Sequence, residues 1–530
     1  MRLPRAAGIL LHPTSLPGPY GVGDLGSAAE SFASFLASCG QRHWQMLPLG
    51  PPVCGDSPYQ AHSSHAGNPL LISPERLVTD GLLKARDLPG DLGLKADRAD
   101  FAAAARVRLD LLRRAFERFS RGIDRGFELF RVRERYWLAD FCLFMAIKGE
   151  HQGAGWNDWD KALAARKPAA LDRARKRLAD EIAFHEFVQY VFDNQWRALR
   201  NWCRLIGITL IGDLPIFLAQ DSAEVWARPD LFQLDSRGLP THVAGVPPDY
   251  FNELGQLWGN PLYRWEAHEA EGFAWWIERI RGVARRFELV RLDHFRGFEA
   301  YYRIPASAPD AREGKWEKSP GTALLTAARA ALGGLPLIAE DLGFITPEVE
   351  TLRDQFGLPG MRVLQFAFGA GSGAENYLPY KHHHHSVIYT GTHDNDTTVG
   401  WFRADFEKST LSTLSVEESK IERAFALRFM NADGREIHWS MIRLAMSSPA
   451  DTVIVPLQDV LGLGSEARMN TPGEGEGNWL WRFREGDLTD ASRDRLANLT
   501  ALFGRWSGGP IPLQFRTPRD GLIAKPFDNY

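Results

Sequence analysis

Three carboxylates close three apolar, strand-like runs. Asp293 ends Leu289-Val290-Arg291-Leu292-Asp293, Glu340 ends Leu335-Pro336-Leu337-Ile338-Ala339-Glu340, and Asp394 follows Val387-Ile388-Tyr389-Thr390 in Gly391-Thr392-His393-Asp394. An apolar run ending in a charge reads as a buried strand that delivers a side chain to its C-terminal rim, where (β/α)8 barrels place their chemistry. Carboxylates converging on such a rim suit glycosyl transfer, which sets an acid and a nucleophile beside one bond.

Asp293 reads as the nucleophile. Arg291, two residues earlier, projects to the same strand face, where a guanidinium would favour the ionised carboxyl. The pair reads equally as a salt bridge at the end of a barrel. Glu340 reads as the acid/base, because an apolar setting with neighbouring carboxylates raises a carboxyl pKa. Asp341 faces the other way on an ideal strand and fits a loop-ordering role. Asp394 would steady a distorted sugar by accepting from its hydroxyls. His294 and His393, each beside a rim carboxylate, could donate to hydroxyls near the cleaved bond. Asp213, which opens Asp213-Leu214-Pro215-Ile216-Phe217, reads as a structural group holding the Arg291 or Asp293 end of the site.

The elements that must position these groups are eight apolar runs: 8–12, 43–49, 208–213, 289–293, 336–340, 363–368, 387–390 and 452–457. Most are unbroken, as expected of strands covered on both faces. The fold class they imply is α/β, a (β/α)8 barrel spanning 1–530 as one catalytic unit. Ser27-Ala28-Ala29-Glu30 has the form of a capping box opening a helix that ends near Gly40. Helical patterns over 184–206, 273–287 and 322–332 precede the third, fourth and fifth strands. Roughly 160 residues separate the second and third strands, far more than one crossover needs. A mostly helical insertion is therefore expected within 60–200, its helical character densest over 76–180. A second, irregular insertion dense in Pro, Gly, Trp and Tyr is expected over 219–261, above the rim. Arg312 to Pro320 reads as a polar linker.

The chain has 530 residues, 44% apolar and 24% charged, which is ample for a large core. A net charge of −4 without a long basic run argues against nucleic acid or an anionic membrane as partner. No run reaches membrane-spanning length, and the N-terminus lacks a full signal-peptide apolar region. Cys39, Cys54, Cys142 and Cys203 are widely spaced and read as reduced thiols of a cytoplasmic protein. The run His382 to His385 reads as an exposed polar loop, since no patterned ligands accompany it. Neither a metal nor an organic cofactor is required by the chemistry above.

The motifs together resemble glycoside hydrolase family 77, the 4-α-glucanotransferases, relatives of the α-amylases. The resemblance rests on Gly212-Asp213-Leu214-Pro215-Ile216-Phe217, Arg291-Leu292-Asp293-His294-Phe295-Arg296-Gly297, Ala339-Glu340-Asp341-Leu342-Gly343 and Thr392-His393-Asp394-Asn395-Asp396. It runs from His12-Pro13-Thr14-Ser15-Leu16 to Arg468-Met469-Asn470-Thr471-Pro472-Gly473, nearly the whole chain. It implies maltodextrins as donor and acceptor, with Asp293, Glu340 and Asp394 catalytic. It implies sugar contacts at Tyr59, Asp249, Gln256 and Trp258, and places Asn470 in a matching segment. Asp213, Arg291, His294 and His393 complete the expected site. The carboxylates alone leave open whether sugar or water is the acceptor, so an amylase-type α-glucan hydrolase is the alternative. A non-catalytic glucan binder would need neither acid nor nucleophile.

Overall fold

Twelve strands are found in the computed structural model, which describes residues 3–53, 56–120, 122, 124–248, 253–369, 371, 373–404 and 415–516. They are β1 (Ala6–Leu10), β2 (His43–Gln45), β3 (Thr209–Leu214), β4 (His242–Val246), β5 (Gln256–Pro261), β6 (Leu289–Leu292), β7 (Ala300–Pro305), β8 (Lys315–Lys318), β9 (Leu337–Ala339), β10 (Gly360–Val363), β11 (Ser386–Tyr389) and β12 (Thr452–Pro456). Eight of them close a parallel barrel in the order β1-β12-β11-β10-β9-β6-β3-β2. The expected (β/α)8 class is the observed one. The seam joins β1 to β12, with Ala6 opposite Thr452 and Leu10 opposite Pro456.

Two barrel strands lie earlier than their apolar runs suggest, β1 by two residues and β10 by more. The expected strand over 363–368 begins where β10 ends, and Leu364–Ala367 is a 3-10 turn. The buried Asp341 carboxylate sets this register, accepting from the Met361 N–H at 2.6 Å. Gly360 lies so close that a Cβ there would stand 2.5 Å from Asp341 Oδ2. An apolar run cannot by itself tell a buried strand from a buried turn.

The first helix, Ser27–Ser38, has Gly26 rather than Ser27 at its N-cap. Glu30 pairs with Arg76 instead of closing a capping box. Between β2 and β3 run the helices Phe101–Phe119, Arg125–Arg133, Leu138–Glu150 and Pro168–Arg177, followed by the long helix Ala179–Leu205. Two glutamines of that long helix clamp the segment after β2. Gln189 exchanges two hydrogen bonds with the Gly67 backbone, at 2.7 and 2.9 Å. Gln195 does the same with Ser73, at 2.7 and 3.1 Å.

The segment over 219–261 is more regular than expected. It supplies β4 and β5 to a four-stranded antiparallel sheet of order β5-β4-β7-β8. Gly245 allows the close approach of β4 and β5, since a Cβ there would meet the Gln256 carbonyl at 2.1 Å. The polar stretch over 312–320 supplies β8, whose Trp316 packs edge-on against Tyr302. Short, charged edge strands leave little periodicity to detect.

The histidine run is only partly exposed. His382 is buried and bonds Ser448 Oγ and the Tyr377 carbonyl through its two ring nitrogens, and His385 bonds the Gly357 carbonyl. Among the described residues no group of three or more metal-ligating side chains is placed to hold an ion. Cys39, Cys142 and Cys203 are free and buried, and Cys54 lies outside the described residues. No described helix is long and apolar enough to cross a membrane.

Two glycine substitutions should move stability in opposite directions. Gly8 faces His43 across β1 and β2, and a Cβ there would meet the His43 carbonyl at 2.4 Å. Gly8→Ala should cost about 1–3 kcal/mol of unfolding free energy. Gly149, exposed in the helix Leu138–Glu150, has nothing within 4 Å of an added Cβ. Gly149→Ala should stabilise by about 0.5–1 kcal/mol. Denaturant midpoints check both, and a shift of the same sign in the two variants would refute the packing argument.

Candidate active site

The floor of the site follows from strand register. Asp213 on β3 lies opposite Arg291 on β6. Arg291 Nη1 stands 2.7 Å from Asp213 Oδ2 and 2.8 Å from Asp293 Oδ1. The Tyr59 hydroxyl donates to the same Asp213 oxygen at 3.0 Å. Burial raises the Asp213 carboxyl above the usual range, and Arg291 opposes that rise. Burial alone would lower Arg291, but Asp213 and Asp293 outweigh it and hold the guanidinium charge firmly in place. Burial pushes the Tyr59 phenol up, with Asp213 adding to the rise, so it remains a donor.

Asp293 directly follows β6 and Glu340 directly follows β9, neighbouring strands of the barrel. His294 sits in the left-handed region, at φ +46°. That conformation is costly for a bulky residue. Here it accompanies a hydrogen bond from the His294 backbone N–H to Glu340 Oε2 at 2.6 Å. The Glu340 backbone accepts from Phe295 N and donates to the Leu292 carbonyl, each at 3.1 Å. Burial raises Glu340 well above the usual carboxylate range. Arg291 and the His294 N–H oppose this, while Asp293 and Asp394 reinforce it.

Asp394 lies on the loop after β11 rather than at the strand end. Asn470 Nδ2 donates to its Oδ1 at 2.6 Å, and Arg468 holds its carbonyl at 2.7 Å. His393 Nε2 stands 3.4 Å from Asp394 Oδ2. The loop is anchored from below by the buried Asp459, which accepts from Thr390 Oγ1 at 2.5 Å and from Thr398 N at 2.7 Å. Tyr59 stacks on His393 with ring centroids 5.2 Å apart. On the other side Trp258 stands edge-on to His294 at 4.9 Å, its indole N–H bonded to Gln256 Oε1 at 3.0 Å. Burial lowers His294 to about 4 and also lowers His393, which favours the neutral ring in both.

The described residues among those expected from sequence thus fall into one connected network. Tyr59, Asp213, Arg291 and Asp293 form its floor. His294 joins Asp293 to Glu340, and Gln256 and Trp258 meet it through the His294 ring. His393, Asp394 and Asn470 form the opposite wall. Asp249 lies outside the described residues. Asp341 turns away from the cleft and binds Arg353 at 2.5 Å and Arg362 at 3.2 Å.

Trp479 joins these residues from the end of the loop over 459–479, a rim segment recognisable in the sequence although the residue itself is not. This residue has φ +67° and packs at 6.0 Å from Tyr59 and 5.9 Å from His393. In the sequence it is the tryptophan closing the Gly-rich run Gly473-Glu474-Gly475-Glu476-Gly477-Asn478. The arrangement sets a carboxyl at Glu340, whose burial favours the protonated form, beside a carboxyl at Asp293 braced by a guanidinium, the pair of groups that a retaining glycosyl transfer uses.

The family model of the 4-alpha-glucanotransferases, glycoside hydrolase family 77, matches residues 11–489. The chain belongs to this family. Its similarity to the 4-alpha-glucanotransferase of Thermus thermophilus is 50% identity over 509 residues, covering 94% of the chain and 98% of that protein. The chloroplastic/amyloplastic 4-alpha-glucanotransferase of Solanum tuberosum is 42% identical over 515 residues, with 94% and 86% covered. The amylomaltase from Streptococcus agalactiae in complex with acarbose superposes with a TM-score of 0.89 at 37% identity, covering 95% of the chain and 100% of that structure. In this family 77 chain the candidate site occupies the C-terminal rim of the barrel, formed by β3, β6, β9, the start of β5 and the loops that follow β2, β11 and β12.

The charge balance at Glu340 can be measured without turnover. A pH-difference infrared titration, with Glu340→Gln as blank, should show its protonated carboxyl persisting above the ordinary glutamate range. Asp394 is a negative neighbour that makes Glu340 harder to ionise. Asp394→Asn should therefore move the loss of that band to lower pH, and a shift to higher pH would contradict the assignment.

Proposed function

We propose that this chain transfers segments of α-1,4-glucan between maltodextrins, with retention, through a covalent glycosyl intermediate on Asp293. The observation that carries this reading is the join between Asp293 and Glu340. Arg291 braces the first, and the backbone N–H of the adjacent His294 holds the second.

In the first step Asp293 attacks the anomeric carbon while Glu340 gives its proton to the departing oxygen. The leaving glucan carries away that proton and the bonding electron pair. In the second step Glu340 takes a proton from the 4-hydroxyl of the acceptor, whose oxygen displaces Asp293. Two inversions give net retention. Asp394 would accept from the hydroxyls of the distorted ring, with His393 and His294 donating to hydroxyls on either side of it. Tyr59 would line the donor side, and Gln256, Trp258 and Asp249 the acceptor side. Asp213, through Arg291, would fix the nucleophile, and Asn470 would fix Asp394.

Family membership and relatives named 4-alpha-glucanotransferase support transfer over hydrolysis. The rim segment 219–261 and the loop closing at Trp479 are the parts in a position to exclude water from the intermediate. In this reading the helical segment 60–200 serves the single catalytic barrel as an insertion. The reduced, buried Cys39, Cys142 and Cys203 support a cytoplasmic location.

With maltotriose as sole substrate, glucose and longer maltodextrins should appear while total reducing ends stay constant, because each transfer breaks one bond and makes one. Rising reducing ends without longer products would establish an α-glucan hydrolase instead. Glu340→Gln should lower kcat by roughly 10²–10⁴, and an unchanged rate would remove Glu340 from the mechanism.

A further inference from the structure

Four residues beyond Glu340 the chain leaves a large aromatic ring in solvent. Phe344 is 68% exposed, on the loop between β9 and the helix Pro347–Gln355. A single exposed apolar side chain is common and by itself means little. Phe344 is set apart by how it is held.

Arg296, three residues after Asp293, is buried between two rings. Its guanidinium carbon lies 3.7 Å from the Trp316 ring centroid and 5.2 Å from that of Phe344. The same guanidinium donates from Nη1 to the Phe344 carbonyl at 2.8 Å, while its Nε is buried without a partner. Burying a guanidinium that is only partly satisfied is unfavourable. The fold tolerates that cost at a contact which fixes both the backbone and the ring of Phe344. Gly343, with φ +83° and open space around it, turns the chain immediately before the ring.

An aromatic ring with a cation toward one side and water over the rest is suited to the apolar C–H face of a pyranose. Its place on the rim identifies which sugar. Glu340 protonates the oxygen that leaves and later deprotonates the acceptor. The loop it begins leaves the C-terminal end of β9 directly after the group that meets the acceptor, and Phe344 is its exposed ring.

We infer that Phe344 is a platform for a glucose unit of the acceptor α-1,4-glucan, beyond the first acceptor sugar, so that its contribution grows with acceptor length. This rests on the transferase reading above. The test supplies α-maltotriosyl fluoride as donor with either glucose or maltoheptaose as acceptor. In Phe344→Ala the ratio of acceptor kcat/KM for maltoheptaose over glucose should fall about five- to tenfold, the size of one aromatic stacking contact. The fall should come through KM, and Phe344→Trp should restore the ratio. An unchanged ratio would make Phe344 a bare surface ring. Equal losses with both acceptors would place its effect on Glu340 rather than on sugar. Either outcome overturns the inference while leaving the transferase reading intact. A parent protein that releases no fluoride with any acceptor would overturn both.

Discussion

The buried guanidinium of Arg291 is the interaction on which the rest of the site depends. It touches Asp213 below and Asp293 above, with almost none of its side chain reached by water. Charges buried without partners are very costly, and breaking one pair of such a set leaves an uncompensated charge behind. The two carboxylates and the cation are therefore fixed as a unit, and barrel register makes the unit possible. Asp213 and Arg291 face each other because β3 and β6 pair in that alignment, and a slip of either strand by one residue would turn its member of the pair away.

From that unit the geometry extends through backbone rather than side chains. Asp293 is followed by a residue forced into a left-handed turn, and the turned N–H holds Glu340. The two carboxyl groups are thereby positioned by the end of one strand and the start of its loop, with few rotatable bonds between them. Asp394 is placed differently, on a loop pinned by Asp459, Asn470 and Arg468. The site thus has one wall set by barrel strands and one set by the packing of two loops. Rigid support of this kind keeps reacting groups near their working geometry.

Much of this was legible in the sequence, for identifiable reasons. The barrel strands are buried on both faces and so read as plain apolar runs. The residues after Leu292 and Ala339 stood out because a charge ends each run. Arg291 was assignable to the Asp293 face from strand period alone. What was hidden depended on tertiary contacts. The shift of β10 comes from the grip of Asp341 on Gly360 and Met361. The short strands β4, β5 and β8 have too little hydrophobic alternation to announce a sheet. His382 is buried by partners far along the chain, such as Ser448. Trp479 belongs to the site only because its loop folds back onto Tyr59 and His393.

The seam of the barrel has a consequence for how the chain comes to be folded. The first strand, Ala6–Leu10, is completed on one side by Thr452–Pro456, so its partner lies near the far end of the sequence. At ribosomal speeds of about 5–20 residues per second, roughly 20–90 seconds separate the synthesis of the two. For that time the edge of β1 that β12 will occupy has no partner strand, although β2 can already pair the other edge. Parallel pairings between distant segments are slow even after release. The interval between translation and closure is therefore the period in which a nascent chain is most exposed to aggregation, and in which a chaperone would find β1 accessible.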